Sequence, residues 1–230
     1  MNEKMPRIDS ASRFLDVCNW GDEMQDRWDR LDKKGWQKAN KIGKTAARLF
    51  SRKGYLETSM DEIAAAAKIS KGGMYYYFQS KTEVLFFILS KYMDLVLQDL
   101  EKDLSQEKIS TDKLKFIISR HIKLYSNNSS EAKVLLHEAH CLPKKHFEVI
   151  AEKQRTYFQI ASEVLLEVFE YPIPKDRLTA LTFTLFGMCN WIYSWYDPKG
   201  AVGPEELSQT IWTLFINGVH EYRAQLIKGS

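Results

Sequence analysis

The sequence predicts an all-α protein: a three-helix N-terminal domain built around a helix-turn-helix, followed by a larger helical C-terminal domain. Two observations carry that reading. Beyond Lys81 apolar residues keep recurring at intervals of three and four, with no alternating stretch that would ask for a strand. Between Ser59 and Glu83 three helix starts crowd together, which means short helices joined by tight turns.

The elements follow in order. Residues 1–35 form an N-terminal extension in which Trp20, Met24, Trp28 and Leu31 recur at helical spacing, predicting an additional helix around Asp22 to Leu31. Such a helix packs on the rest of the protein or, through Arg27, Arg30, Lys33 and Lys34, lies alongside a polyanion. In residues 36–84, Ser59 with Glu62 reads as one capping box and Ser80 with Glu83 as another, while Ser70 can cap a helix that opens at Lys71. Ile63, Ala64, Ala67, Ile69, Met74 and Phe78 then share one apolar seam, the skeleton of a helix-turn-helix.

Facing outward from that seam are Lys71, Gly72, Gly73, Tyr75 and Tyr76, with Tyr77 towards the flank. Glycine costs about 1 kcal/mol relative to alanine inside a helix. Two of them are understandable where a backbone must approach a phosphate or base edge closely. Tyrosine hydroxyls beside them can bond phosphates, and the rings can rest on thymine methyls. A small hairpin whose tyrosines merely cover a core is the plainer alternative. Charge favours the first: Lys33 to Lys81 holds eleven Lys and Arg against three Asp and Glu, a balance of +8, in a chain whose net charge is +3. The remainder is therefore −5, and a basic segment on an acidic body is the footprint of a polyanion-binding module.

The run KIGKTAARLFSRKGYLETSMDEIAAAAKISKGGMYYYFQSKTEVL, within residues 37–89, resembles the DNA-binding domain of the tetracycline-repressor (TetR) family of transcriptional regulators. The Ala-Arg-Leu-Phe segment followed by Lys-Gly-Tyr, the Thr-Ser-Met-Asp-Glu-Ile helix start and the Ser-Lys-Gly-x-x-Tyr-x-x-Phe-x-x-Lys region all fall at family spacing. The resemblance implies a ligand-responsive regulator, a repressor in most members, that binds double-stranded operator DNA. It implies DNA contacts from Thr58, Ser59, Lys71, Gly73, Tyr75, Tyr76, Tyr77 and Lys81, to which the outward reading adds Gly72. Gly73 stands where many members have threonine, so a side-chain contact is missing there.

Residues 85–230 would form the C-terminal ligand-binding and dimerisation domain. A long helix is expected from Lys81 past Leu100, others over Asp112–Tyr125 and Ser130–Cys141, and a further long one over Lys144–Glu170 ended by Pro172 and Pro174. Asp176–Tyr196 carries Leu178, Leu181, Leu185, Met188, Ile192 and Trp195 on one stripe, and Pro204–Leu226 closes the chain with Leu207, Ile211, Leu214, Phe215 and Gly218. The resemblance makes these last two helices the homodimer interface, which would set two recognition helices in successive major grooves.

The remaining chemistry is sparse. Cys18, Cys141 and Cys189 are too widely spaced for a disulfide framework or a Cys-x-x-Cys knuckle, which fits a reducing cytoplasm. No apolar run approaches the ~18 residues that span a bilayer, and residues 1–11 lack the apolar core of a signal peptide, so a cytoplasmic protein with no membrane partner is expected. No phosphate-binding glycine loop, nucleophile elbow or carboxylate pair asks for catalysis, and no cofactor is called for. The alternative to a DNA-binding regulator is a helical metal- or redox-sensing protein that uses His137, His140, Cys141 and His146, with Lys144 and Lys145 depressing the thiol pKa.

Phe186 to Gly200, FGMCNWIYSWYDPKG, is richer in aromatics than one helix needs. Packing within the chain or a dimer is one use for them. The string is also similar to the C-terminal domain of a TetR subgroup that regulates fatty-acid or steroid catabolism and responds to acyl-coenzyme A (acyl-CoA) thioesters. That likeness implies a small apolar effector near Trp191 and Trp195. Arg120, Arg155 and Arg177 are the candidates, by residue type, for holding its anionic part.

Overall fold

The computed structural model describes Trp28 and residues 30–228, and every regular element among them is helical. In order these are α1 (Lys33–Lys53), α2 (Met60–Ala67), α3 (Lys71–Tyr77), α4 (Lys81–Leu97), α5 (Leu100–Gln106), α6 (Ser110–Asn127), α7 (Ser129–Glu138), α8 (Lys144–Phe169), α9 (Lys175–Asn190) and α10 (Pro204–Lys228). Single 3-10 turns follow α7 and α9, at Ala139–Cys141 and Trp191–Ser194. The expected helix around Asp22 to Leu31 lies outside the described residues, apart from Trp28, Arg30 and Leu31.

Local side-chain bonds set the starts of the first four helices. Asp32 accepts from the Gly35 amide at 2.7 Å to open α1, which ends at Gly54, where a φ of 92° turns the chain away. Both halves of the Ser59–Glu62 capping box are present on α2. Lys53 at the end of α1 pairs with Glu62 and, with the Ser59 amide, holds that carboxyl down to about 2. Ser70 accepts from Gly73 and Ser80 from Glu83, at 3.1 and 3.2 Å. The apolar seam forms as expected: Ile63, Ala64, Ala67, Met74 and Phe78 are buried and Ile69 half-buried.

α4 then carries the chain from this small unit into the body without a break, so the expected boundary between residues 84 and 85 falls inside a helix. Phe87 on α4 lies against Gly43 on α1 so closely that a β-carbon there would stand 3.0 Å from the ring. Trp28 meets Phe87 edge-on with centroids 4.9 Å apart, and Phe78 closes the other side at 5.2 Å. α1 also packs along α7, which adds a second junction with the body. Within the body α8 is the central rod, packed on α4, α6 and α9, while α10 lies along α6.

Two expected helices are shorter than their patterns. The one opening at Lys81 stops at Leu97, because Asp99 adopts φ 56°, and the chain restarts as α5. The helix expected over Asp176–Tyr196 ends at Asn190 and tightens into the 3-10 turn. Trp195 therefore leaves the stripe and is exposed, whereas Leu185 and Ile192 are buried as expected.

The indole of Trp28 is fully buried, yet its Nε1 has no partner among the described residues. Chemical denaturation should show Trp28→Ala losing about 3–5 kcal/mol, the cost of removing a large buried ring. Trp28→Phe should cost less than half as much, since it keeps the ring contacts and removes the unpaired donor. Equal losses for the two variants would contradict this packing.

Candidate nucleic-acid interface and ligand cavity

Outward residues of α2 and α3 form one continuous surface. Tyr75 and Tyr76 are exposed and Tyr77 half-buried, with Tyr76 edge-on to Tyr77 at 5.0 Å. Lys71 reaches Asp61 at 3.2 Å, but both groups are so solvated that the pair holds neither in place. A β-carbon at Gly72 would meet nothing within 4 Å, so intrachain packing does not demand glycine there. Ser59, at the start of α2, is exposed as well.

Two residues expected on this surface are committed elsewhere. Thr58 is buried, and its hydroxyl donates to the Gly54 carbonyl at 2.9 Å. Lys81 donates to the carbonyls of Tyr55 and Leu56 at 2.8 and 3.1 Å and lies over the Tyr55 ring. Its ammonium ties the α1–α2 loop to the start of α4.

A cavity of about 470 Å³ opens in the body between α4, α6, α7, α8 and α9. Its walls are mainly apolar and aromatic, with Tyr92, Met93, Leu135, Phe158 and Phe186 among them, and its size lies in the range of small-molecule sites. Phe183 and Arg155 are exposed and mark the mouth. Arg155 is held there by Glu152 on the preceding turn, at 2.8 Å from its Nε.

Of the five residues expected to hold a ligand, Arg155 alone lines this cavity. Arg120 instead caps the end of α4, donating to the carbonyls of Leu95 and Gln98 at 3.2 and 2.6 Å, with Asp103 beside it. Arg177 is exposed on the first turn of α9. Trp191 and Trp195 stand on the surface beyond the end of α9, against Tyr193 and Tyr196. The break at Asn190 is the physical reason for Trp195, which it takes off the inward stripe, whereas Trp191 continues the exposed face of Thr184 and Gly187.

Sequence reasoning also missed a polar group in the cavity wall. His121 Nδ1 lies 3.2 Å from the Tyr157 hydroxyl, and its Nε2 lies 3.1 Å from the side-chain oxygen of Asn190. Burial pushes the His121 pKa down to about 4, against a smaller upward pull from Asn190. A lone histidine on an apolar helix face carries no spacing signal, so nothing local marked it.

The region from His137 to His146 comes together only in part, with Cys141 Sγ 3.6 Å from His140 Nε2 and 3.8 Å from a Glu138 carboxylate oxygen while the other two histidines point elsewhere. His137 lies edge-on to Tyr193 at 4.5 Å, and His146 packs on Phe86 at 4.9 Å. Among the described residues no group of three or more His, Cys, Asp or Glu stands where it could hold a metal ion. Burial and the Glu138 carboxylate push the Cys141 thiol up, opposite to the depression expected from Lys144 and Lys145. Lys81 pulls it down and is outweighed.

Residues 42–86 match the family model for bacterial regulatory proteins of the tetR family, and residues 107–219 match that for the tetracyclin repressor-like C-terminal domain. Among curated proteins, the fatty acid metabolism regulator protein of Bacillus subtilis (strain 168) is 23% identical over 178 residues, covering 76% of this chain and 92% of that protein. Among solved structures, a TetR-family transcriptional regulator from Bordetella parapertussis 12822 superposes with a TM-score of 0.74 at 29% identity, covering 77% of this chain and 93% of that one. AibR in complex with isovaleryl coenzyme A and operator DNA superposes with a TM-score of 0.68 at 28% identity, covering 77% and 97%.

Depression of the His121 pKa has a thermodynamic consequence. As pH falls through about 6.5 the unfolded chain takes up this proton. The folded chain does not until about 4, so the stability tied to His121 is complete above 6.5 and lost on the way down to 4. Between pH 7 and pH 5 the wild type should lose about 2 kcal/mol more than a His121→Gln variant, at 1.36 kcal/mol per unit of pH below 6.5. Groups common to both proteins cancel in that difference. Parallel denaturation curves at the two pH values would show His121 to be solvated.

Proposed function

Since this chain belongs to the TetR family of bacterial transcriptional regulators, we propose that it is a homodimeric repressor released from its operator by an acyl-CoA thioester. Proteins of this family regulate transcription and are not enzymes. The observation that carries the effector reading is the apolar cavity in the C-terminal body, open beside a cationic side chain, in a fold shared with AibR and its isovaleryl coenzyme A. The acyl part would occupy the cavity, and Arg155 would face the anionic coenzyme at its mouth. A fatty acid metabolism regulator among the relatives supports the same class of ligand. Among the described residues no helix is long and apolar enough to cross a membrane.

DNA contact is assigned to Ser59, Lys71, Gly72, Gly73, Tyr75, Tyr76 and Tyr77. Exposure of Tyr75 and Tyr76 and the empty space at Gly72 support this, since neither is explained by packing. Thr58 and Lys81 would act differently, Thr58 by shaping the loop and Lys81 by bracing it while its positive charge stays near the backbone of the duplex.

The dimer would be built on α9 and α10. Ala180, Phe183, Thr184 and Gly187 form an exposed stripe on α9, and Thr210, Leu214 and Gly218 form one on α10. Neither Gly187 nor Gly218 has anything within 4 Å of a β-carbon position, which leaves room for a neighbouring helix. Release would be a shift between two spacings of the recognition helices, and the effector must favour the unfit spacing by about 1.4 kcal/mol per tenfold loss of DNA affinity.

Two measurements follow from this reading. Gly218→Arg should turn the wild-type dimer into a monomer in sedimentation and abolish operator binding, because an unpaired charge in a desolvated helix contact costs several kcal/mol. A wild-type protein that is monomeric at micromolar concentration removes the dimer from the mechanism. Acyl-CoA esters should raise the melting temperature and release labelled operator at matching concentrations, with affinity rising with chain length at about 0.8 kcal/mol per buried methylene. Free coenzyme A should do much less. If chain length changes neither readout, the effector belongs to another class.

A further inference from the structure

The polar chain in the cavity wall has a direction. A carboxamide oxygen only accepts, so the 3.1 Å contact between Asn190 and His121 requires the proton on Nε2. His121 Nδ1 is then the acceptor, and the Tyr157 hydroxyl, 3.2 Å away, must donate to it. Both ring nitrogens are thereby used, and the Asn190 side chain is fixed with its oxygen towards the histidine. What remains is the Asn190 amide group, two N–H donors on the cavity wall that make no hydrogen bond to another described residue.

We propose that this Asn190 amide donates to an uncharged carbonyl oxygen of the bound ligand, and that it makes the cavity select neutral acyl derivatives over free carboxylates. The inference rests on the acyl-thioester reading above and names the group that recognises the acyl end. Charge in the cavity supports it. His121 is held neutral by its surroundings, and burial raises the hydroxyl pKa values of Tyr92, Tyr125 and Tyr157, so these also stay uncharged. Arg120 lies close enough to influence Tyr157, but its guanidinium is spent on the α4 carbonyls and Asp103. Arg155 is less than one turn of α8 from Tyr157 and Phe158 on the wall, but its guanidinium is turned out to solvent and paired with Glu152. A carboxylate carried inward to Asn190 would lose its water and meet no cation. A neutral carbonyl loses little on entry and gives the amide an acceptor that no described residue provides.

Such a carbonyl can be that of the thioester or a keto oxygen farther along the chain, and a set of coenzyme A derivatives separates the two. Binding of an eight-carbon acyl-CoA, the S-alkyl thioether of equal length and an oxoalkyl thioether should be measured by calorimetry on full-length wild type and on Asn190→Ala. The wild type should bind the thioester about tenfold more tightly than the alkyl thioether, a difference of one hydrogen bond. In Asn190→Ala that ratio should fall to near one while thioether binding is kept. His121→Phe, which leaves the amide unoriented, should lower the same ratio. Should the oxoalkyl thioether alone regain the advantage, the carbonyl recognised is a ketone in the chain. Equal wild-type affinity for thioester and both thioethers would overturn the role of Asn190 and leave the effector class standing. Failure of every coenzyme A derivative to bind would remove both.

Discussion

The seating of Phe87 on Gly43 is the contact on which the rest of the architecture depends. α4 belongs to the small N-terminal unit at its first turn and to the cavity wall at Tyr92, Met93 and Val96. Anything that moves the cavity wall therefore moves the helix that carries Ser80 and Lys81. At Gly43 the two helices approach as closely as a bare backbone allows, and Trp28 and Phe78 fill the remaining sides of the Phe87 ring. Close-packed interiors transmit strain rather than absorb it. An effector acting on the body has, in α4, a rigid element that reaches both ends.

The second junction complements the first. α1 lies along α7, and α7 contributes Leu135 and Leu136 to the cavity while His137 on the same helix meets Tyr193 in the turn after α9. The same short helix touches the ligand wall, the 3-10 turn that ends α9 and the first helix of the N-terminal unit. With α4 on one side and α7 on the other, that unit is gripped by two elements that both line the cavity. Two such supports favour a tilt of the whole unit over a local distortion within it.

Much of the N-terminal half was legible in the sequence because its determinants are local. The serine caps of α2, α3 and α4 are each a bond between residues three apart, and the seam from Ile63 to Phe78 follows from helical spacing. The C-terminal helices were legible in order but not in number, since Asp99 turns left-handed and splits the helix expected past Leu100 into α4 and α5, and one end was missed where Asn190 gives way to a tighter turn. Neither position carries the glycine or proline that punctuation rules rely on. The cavity was not legible, because an empty space is what five packed helices fail to fill, and no single segment encodes it. Hence arginine by residue type pointed to Arg120, which caps α4, and to Arg177, which stands exposed on α9, while His121 was not singled out at all.

α3 has only seven residues, too few to be helical alone, and it is held by the Ser70 cap and by Met74 beneath it. The side chains it turns outward take little part in holding it. Lys71, Gly72, Tyr75 and Tyr76 can consequently be exchanged at small cost to folding, whereas Met74 and Phe78 cannot. If α3 is the DNA-reading face proposed above, substitutions on it can change the sequence that is read while the architecture, the joint at Gly43 and the cavity stay as they are.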